Sequence, residues 1–166
     1  MNTTPFSQSE DMRYLLVSVP EQKMQLRHGE EILATYTIST SRFGLGFHKD
    51  SFKTPLGRFY IHAKIGHGAP LGEIFRARQP TGIIASQGGE EDLITTRILW
   101  LGGLDLENAN TKDRYIYIHG TNQEHLLGQP ASHGCIRMNN REILELFDRV
   151  KTNDAIIILN TKFPSQ

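Results

Sequence analysis

The chain has 166 residues, enough for one domain whose core is stable without disulfides or a structural metal. Lysine plus arginine and aspartate plus glutamate number 18 each, which gives a formal net charge of +0. Because a nucleic-acid footprint or a polybasic membrane patch needs excess positive charge, this balance excludes nucleic acid as the expected partner and favours a small or zwitterionic molecule.

The chain ends and the cysteine content bear on location and domain organisation. Residues 1–11 are polar and lack the basic start and apolar centre of a secretory signal, and no apolar run approaches the length of a bilayer span. The single cysteine cannot form an internal disulfide. We therefore expect a cytoplasmic protein without a membrane partner, with a flexible tail over 1–11, one domain over 12–160 and a second tail over 161–166. No feature of the sequence indicates an oligomeric state.

Three short strands open the predicted domain. Residues 13–19 form a β-prone apolar run that Pro20 ends, and residues 23–28 alternate up to Gly29, so the two predict a hairpin. Residues 31–40 are alternating and rich in β-branched side chains, which predicts a third strand. Three strands at such short spacing indicate an antiparallel β domain.

The middle of the chain predicts loops around a strand. Residues 41–51 contain glycines and phenylalanines and predict a loop, and residues 53–61 predict a turn that leads into a strand. The segment from Gly66 to Gln79 has no clean period and is long for a connection in a small domain. Such a segment is either a lid over a site or an inert excursion, and its composition leaves both open.

Three further strands are expected in the second half of the chain. Residues 97–101 and 155–159 are apolar runs that predict buried strands. Residues 115–120 predict a strand with its tyrosines and His119 on one face and two isoleucines on the other. His119 therefore stands at a strand end.

One amphipathic helix is predicted between the last two strands. Asn139 or Asn140 can cap it, with Glu142 in the capping-box position. Apolar residues then recur at helical spacing; these are Ile143, Leu144, Phe147 and Val150. The expected fold is mostly β, a β-sandwich or mixed β-sheet, with one main α-helix near the C-terminus.

The candidate site is the stretch from Ser132 to Met138, which places the lone cysteine between a histidine, a glycine and an arginine. A thiol attacks as the thiolate, so Cys135 needs a base within reach, and the candidates are His119 and His133. His119 ends a rigid predicted strand and is the better placed. His133 lies two residues from the thiol and can sit beside it only if the loop bends suitably.

The residues beside the thiol predict how a substrate is held. Gly134 lets the backbone come close to a substrate carbonyl, so the N–H groups of Gly134 and Cys135 are candidate oxyanion donors. Arg137 supplies a fixed positive charge able to hold a substrate carboxylate in bidentate fashion. This favours a peptide or amino-acid substrate with a free carboxylate.

Two other interpretations of the cysteine stay open. Cys135 can be a small buried apolar residue, although polar groups and glycine are poor core neighbours. It can also be a zinc ligand together with His119 and His133. A zinc site with one cysteine and no obvious acidic ligand would have few ligands, so nucleophilic catalysis is the favoured interpretation.

The residues around the cysteine resemble the catalytic signature of the L,D-transpeptidase family, also called the YkuD domain family. The family has a histidine-glycine pair at a strand end, a spacer, and then Ser-His-Gly-Cys, a hydrophobic residue, Arg and soon an asparagine. Here this pattern is filled by His119-Gly120 and by Ser132-His133-Gly134-Cys135-Ile136-Arg137-Met138-Asn139. The segment Thr54-Pro55-Leu56-Gly57-Arg58-Phe59 resembles an upstream family segment, so the likeness extends from about Arg13 to Leu159.

The resemblance implies a mostly β, YkuD-like domain that transfers acyl groups from peptidoglycan stem peptides and needs no metal or organic cofactor. Cys135 would attack the carbonyl between the third residue, usually meso-diaminopimelate, and the terminal D-alanine. His119 would be the base, oriented by a backbone carbonyl near Gly120. The implied catalytic residues are Cys135, His119, Gly120 and Gly134, and the implied substrate-binding residues are Ser132, His133, Arg137 and Asn139.

The expected acceptor of the acyl group follows from the expected location. Many family members are secreted or membrane-anchored, whereas in the cytoplasm the acceptor is water and the donors are muropeptides. The first expectation is therefore an L,D-carboxypeptidase of murein recycling that releases D-alanine from tetrapeptides. The alternatives are an L,D-transpeptidase that forms cross-links or exchanges D-amino acids, and an inactive muropeptide-binding module.

Overall fold

A computed structural model describes residues 12–165. Within this range the chain forms ten strands, one α-helix and one short 3₁₀ helix at Glu124–Leu126. The helix α1 spans Asn140–Arg149. The strands are β1 Arg13–Ser18, β2 Lys23–His28, β3 Glu31–Ser39, β4 Gly57–Ile65, β5 Glu73–Arg76, β6 Gln79–Ile84, β7 Ile94–Gly103, β8 Tyr117–Gly120, β9 Ile136–Met138 and β10 Ala155–Leu159.

The strands form one sheet that closes on itself, because β4 has a neighbour on both of its edges. The order is β4-β10-β1-β2-β3-β9-β8-β7, and β7 pairs back onto β4. Neighbours are antiparallel except for the parallel pairs β1–β10 and β8–β9. The β5–β6 hairpin attaches to the start of β7. The predicted mostly β, mixed-sheet fold with a single α-helix near the C-terminus is confirmed.

Closure of the sheet and burial of the core depend on the same side chains. Apolar residues of eight strands meet in one buried cluster. Its completely buried members include Leu15, Leu26, Ile38, Phe59, Ile118 and Ile156. β10 lies between β1 and β4, with Ile156 opposite Leu15 and Phe59. The last strand, β10, therefore has a hydrogen-bonded neighbour on each edge, as expected for a buried strand.

The helix α1 begins at the predicted cap. The Asn139 side chain accepts hydrogen bonds from the backbone N–H groups of Arg141 and Glu142, at 2.9 and 3.2 Å. These two donors have no partner within the helix, so the cap satisfies them. The Asn139 side chain is thus used by the helix, which differs from its predicted role in substrate binding.

The apolar face of α1 differs by one residue from the predicted one. Ile143 and Phe147 are buried and pack toward β7 and β8, as expected. Leu146 is completely buried, whereas Leu144 is only half-buried. The stripe that contacts the sheet is therefore centred nearer to Leu146 than the sequence spacing indicated.

The segment from Gly66 to Gln79 is corrected by the structure. It is not a connection without secondary structure, because it contains β5 and leads into β6 through a two-residue turn at Ala77 and Arg78. Its glycines and Pro70 hid the strand signal, since both residue types are rare within strands. Residues 53–61 form a turn that leads into a strand, as predicted, and the strand β4 begins at Gly57.

Two expectations concern the chain ends and membranes. The predicted tail over residues 1–11 lies outside the described residues. Within residues 12–165, no helix is long and apolar enough to cross a membrane.

The helix cap generates a stability prediction. Replacing Asn139 by Ala should lower the free energy of unfolding by about 1 kcal/mol, because two backbone donors at the start of α1 lose their acceptor. Urea denaturation measures this loss. Asn139→Asp keeps an acceptor at the same position and should retain nearly all the stability. Equal stability of the Ala variant and the wild type would contradict the capping role.

Candidate active site

The parallel pair β8–β9 brings the two halves of the motif together. Within this pair Ile118 lies opposite Ile136 and His119 opposite Arg137. Cys135 immediately precedes β9 and therefore lies beside Tyr117, the first residue of β8. Parallel neighbours need a long connection, and residues 121–135 supply it. The spacer between histidine and cysteine is thus the crossover between two adjacent strands.

A cleft of about 270 Å³ opens at this point of the fold. It is lined by Asp92, Ile94, His119, His133 and Cys135. Three of these five residues were predicted from the sequence to belong to the site. Asp92 and Ile94 come from the start of β7 and the segment before it, and no sequence pattern had connected them with the cysteine.

The thiol of Cys135 is free and lies against the backbone of the neighbouring strand. The backbone N–H of Tyr117 donates to Sγ at 3.3 Å, and Sγ–H points to the carbonyl oxygen of Tyr115 at 3.5 Å. Burial raises the pKa of Cys135 to about 12, against the smaller opposing effects of the Tyr117 N–H, Arg114 and Arg137. At neutral pH the protonated thiol then predominates over the thiolate. The resting nucleophile is therefore a neutral thiol that must lose its proton during attack.

The imidazole of His119 has a defined orientation and tautomer. Its ring is almost completely buried, and Nδ1 lies 2.5 Å from the carbonyl oxygen of Gly120. A carbonyl oxygen can only accept, so Nδ1 carries the proton and Nε2 keeps its lone pair. Burial lowers the pKa of His119, with the charge of Asp92 opposing it. His119 is thus neutral at rest and presents Nε2 as a base.

His133 is held differently and lacks a free lone pair. Its Nε2 lies 2.7 Å from Nη2 of Arg42, and its Nδ1 lies 3.0 Å from Oδ2 of Asp92. A guanidinium only donates, so Nε2 accepts and Nδ1 donates. The rings of Phe43 and Phe52 pack on the imidazole with centroids 5.8 Å away. Both nitrogens are engaged, which supports the expectation that His119 is the base.

Arg137 lies below the cleft and does not face solvent. Its side chain is completely buried, and Nη1 donates to Oδ1 of Asp92 at 2.9 Å and to Oε1 of Gln123 at 2.7 Å. Its Nε and Nη2 are buried without a hydrogen-bond partner among the described residues. This placement differs from the predicted role of Arg137 in holding a substrate carboxylate. In the structure Arg137 instead holds Asp92.

Asp92 connects the two histidines to Arg137. Burial by itself would raise the pKa of Asp92, but His119 when charged, the His133 hydrogen bond and Arg137 outweigh burial and hold the pKa below its usual value. Asp92 therefore stays ionised in a side chain that is only 18% exposed. Four side chains form one hydrogen-bonded series. Arg42 donates to His133, His133 donates to Asp92, and Arg137 also donates to Asp92.

The loop before the cysteine is shaped by Ser132. Its Oγ donates to the Cys135 carbonyl at 2.6 Å and accepts from the Gly134 N–H at 3.2 Å. Ser132 is fully buried, so it shapes the loop instead of lining an open substrate subsite. Because the Gly134 N–H is already used, the Cys135 N–H is the stronger candidate for the oxyanion donor. Gly134 has a φ of 120°, which strongly favours glycine.

Gly120 is required by close packing. A Cβ at this position would come within 2.6 Å of the Thr95 carbonyl oxygen and would also collide with Oδ1 of Asn140. The Asn140 side-chain oxygen accepts from the hydroxyls of Thr95 and Thr96, at 2.5 and 2.6 Å, and its amide donates to the Thr121 carbonyl. This buried network fixes the end of β8. The Gly120 carbonyl therefore stays aimed at the imidazole of His119.

The zinc interpretation finds no ligand set. Across residues 12–165, no three histidine, cysteine, aspartate or glutamate side chains are grouped so that they could hold a metal ion. His119 and Cys135 do share the cleft, but both nitrogens of His133 are taken by Arg42 and Asp92.

Two functional candidates were missed from the sequence, and both are remote from the cysteine in the chain. Asp92 lies in a run of acidic residues, Glu90, Glu91 and Asp92, whose pattern is typical of a solvated loop. Arg42 follows β3 in a segment that predicted only a loop. Only the closed sheet brings these residues beside His133, so no local spacing could have identified them.

Comparisons with known proteins identify the family of the domain. The model of the L,D-transpeptidase catalytic domain, YkuD, matches residues 12–158. YqjB from Bacillus subtilis, whose name assigns it to the L,D-transpeptidases, is 25% identical over 145 residues, which cover 87% of this chain and 70% of YqjB. YkuD from the same organism is 26% identical over 145 residues, covering 87% of this chain and 65% of YkuD.

Solved structures show the same fold at low sequence identity. An L,D-transpeptidase from Mycobacterium smegmatis has a TM-score of 0.55 at 17% identity, covering 89% of this chain and 58% of that one. The L,D-transpeptidase from Xylanimonas cellulosilytica has a TM-score of 0.58 at 16% identity, covering 94% of this chain and 63% of that one. The chain therefore spans less than two thirds of these solved chains.

A sheet of this topology that carries a thiol and a carbonyl-oriented histidine at the β8–β9 pair defines a cysteine-dependent acyltransferase domain. The family model matches nearly the whole domain and therefore identifies the family within this class. The chain belongs to the L,D-transpeptidase catalytic-domain family, YkuD.

The charge of Asp92 generates a prediction that needs no substrate. Asp92→Asn removes the negative charge that favours protonated His119, so the pKa of His119 should fall further below its usual value. An NMR titration of the histidine side chains measures this change, with the His119 signal assigned from a His119→Gln variant.

Glu91→Gln is the matched control for this titration. Glu91 is the adjacent acid, but it lies at the surface and pairs with Arg76 at 3.5 Å. Its replacement should leave the His119 signal unchanged. A His119 pKa that does not move in Asp92→Asn would show that Asp92 has no electrostatic influence on the base.

Proposed function

We propose that the domain is an L,D-carboxypeptidase that removes the terminal D-alanine from peptidoglycan tetrapeptides through an acyl-enzyme on Cys135. The observation that carries the proposal is that Cys135 and His119 line one cleft, with Nδ1 of His119 on the Gly120 carbonyl so that Nε2 keeps its lone pair. Burial raises the pKa of Cys135 and lowers the pKa of His119, which favours the neutral form of both groups. A neutral pair of this kind is suited to general-base attack on a carbonyl.

In the first half of the reaction the peptide bond is broken. Sγ of Cys135 attacks the carbonyl carbon of the third residue while its proton passes to Nε2 of His119. The Cys135 N–H donates to the oxyanion of the tetrahedral intermediate. The intermediate collapses as His119 returns the proton to the nitrogen of D-alanine, which leaves as the free amine. A thioester on Cys135 remains.

In the second half the thioester is resolved by water. Nε2 of His119 takes a proton from the water as its oxygen attacks the thioester carbonyl, and the thiol is re-formed when the carbon–sulfur bond breaks. In both halves His119 passes through an imidazolium. The Gly120 carbonyl accepts from its Nδ1–H, and the ionised Asp92 favours its positive charge.

Water is the proposed acceptor. The cleft of about 270 Å³ has room for the end of one donor peptide and a water molecule. Hydrolysis of this kind fits a cytoplasmic role in murein recycling, which is part of the proposal.

Transpeptidation is the second candidate, and the family likeness favours it. The thioester on Cys135 can be resolved by an amine in the same way as by water. The relatives in Bacillus subtilis carry L,D-transpeptidase in their names. Either acceptor requires the same thiol and the same base.

The proposal is tested with a disaccharide-tetrapeptide, with and without an excess of a D-amino acid. We expect loss of one alanine by mass and no exchange product. Cys135→Ala should abolish turnover, and His119→Ala should slow it by about 10²–10⁴-fold because general-base assistance is lost. The exposed His125 supplies a matched control, and His125→Ala should retain full activity.

Other outcomes separate the alternatives. Dimers or D-amino-acid exchange would identify a transpeptidase, and binding without any product would identify a muropeptide-binding module. Full activity of Cys135→Ala would rule out the nucleophile. If only His133→Ala were inactive, the roles of the two histidines would have to be exchanged.

A further inference from the structure

The β5–β6 hairpin ends in a turn of unusual composition. Arg76 pairs with Gln79, so only Ala77 and Arg78 form the turn, and their φ angles are 46° and 65°. Two-residue turns with positive φ at both positions are normally made by Asn-Gly or similar pairs, because side chains with a Cβ are strained there. Strained backbone of this kind often marks a functional position. Here it presents the Arg78 side chain at the tip of the hairpin.

Arg78 lies on an aromatic surface next to the cleft. Its guanidinium carbon is 5.0 Å from the ring centroids of both Trp100 and Tyr115, and Nη1 donates to the Tyr117 hydroxyl at 3.0 Å. Stacking on rings fixes the plane of a guanidinium while leaving its other N–H groups available. Arg78 is half-exposed, so these groups reach solvent.

Arg78 has no acidic partner in the part of the chain that the structure describes. Several other arginines pair with a carboxylate, including Arg58 with Asp105, Arg76 with Glu91, Arg137 with Asp92 and Arg149 with Glu145. An oriented guanidinium without a carboxylate is a ready site for the carboxylate of a ligand.

Tyr117 links this guanidinium to the nucleophile. Its hydroxyl accepts from Arg78, and its backbone N–H donates to Sγ of Cys135. Arg78 and the attacking sulfur are therefore separated by about the length of one tyrosine residue, from its hydroxyl to its backbone N–H. In the proposed donor, the distal carboxylate of diaminopimelate is separated from the scissile carbonyl by an aliphatic chain of similar length.

We propose that Arg78 binds the distal carboxylate of the diaminopimelate residue and thereby selects the third residue of the donor peptide. This inference rests on the proposed function. It replaces the expectation that Arg137 binds the substrate carboxylate, because Arg137 is completely buried and already paired with Asp92. Arg78 supplies the same chemistry from a half-exposed position at the tip of the β5–β6 hairpin.

The test couples a change in Arg78 with a change in the substrate. KM and kcat are measured for the wild type and Arg78→Gln on a tetrapeptide and on the same peptide amidated at the distal carboxylate. Each change alone should raise KM about tenfold, the usual size of one charge-assisted contact. Both together should raise KM no further than either alone, with kcat nearly unchanged. Arg76→Gln, on the same hairpin, is the control and should leave KM unchanged.

Two results would overturn the role of Arg78. The first is a KM for Arg78→Gln equal to that of the wild type. The second is an effect of Arg78→Gln that is equally large on free and amidated peptides, as general damage to the hairpin would produce. The same KM measurements are made with peptides amidated at the D-alanine terminus or at the glutamate. If one of these amidations, and not that of the distal carboxylate, removed the effect of Arg78→Gln on KM, the assignment to diaminopimelate would be overturned.

Failure of this inference can be distinguished from failure of the proposed function. A wild-type enzyme that turns over no tetrapeptide would contradict the proposed function alone. Calorimetric binding of the same peptides to Cys135→Ala and to Cys135→Ala/Arg78→Gln then tests Arg78 directly. Equal affinities of the two variants for the free tetrapeptide would overturn the inference.

Discussion

The hydrogen bond from Nδ1 of His119 to the Gly120 carbonyl is the interaction on which the site depends. It fixes the tautomer that leaves Nε2 free, and among residues 12–165 the partner of Nδ1 is this carbonyl and not an acidic side chain. The carbonyl keeps its direction because Gly120 packs directly on Asn140 and Thr95, where a larger residue would collide. The first residue of α1 thus supports the catalytic base through the backbone of β8.

The negative charge of Asp92 also acts on His119, where it favours the protonated imidazole. Arg137 is buried beneath the cleft, and removal of its carboxylate partner would leave an uncompensated charge, which typically costs about 3–5 kcal/mol. Asp92 is therefore held firmly, and it in turn holds His133 in the tautomer that accepts from Arg42. Because both ring nitrogens of His133 are hydrogen-bonded to charged neighbours, this side chain is better suited to lining the site than to transferring protons. The two histidines of the motif consequently have different tasks, although both are Nδ1-protonated.

Much of the fold followed from local patterns. The strands at residues 13–28, the cap at Asn139 and the strand that ends in His119 were all predictable, because period and capping chemistry are encoded within a few residues. Closure of the sheet was not, since the pairing of β4 with β7 and of β1 with β10 joins segments far apart in the chain. The β5–β6 hairpin was missed because its turn uses Ala77 and Arg78 where glycine or asparagine is the usual signal.

The candidate site divides in the same way. Cys135, His119 and His133 were predicted together and line one cleft. Arg137 was predicted to hold a substrate carboxylate. Its burial against Asp92 and Gln123, which come from other parts of the chain, could not be predicted from residue type, since arginine is mostly exposed. Asp92, Arg42 and Arg78 become relevant only in three dimensions. Local motifs therefore identified the reacting groups, whereas the groups that orient and charge them required the fold.

The central claim is that the nucleophile is a neutral thiol at rest and is activated only by transfer of its proton to His119. The rate of Cys135 alkylation by iodoacetamide as a function of pH tests this directly, and the single cysteine makes the mass readout unambiguous. Because burial raises the pKa of Cys135 to about 12, the rate should be slow at neutral pH and should keep rising into the alkaline range without a plateau. A fast rate that levels off near neutral pH would reveal a preformed thiolate–imidazolium pair and would contradict the account.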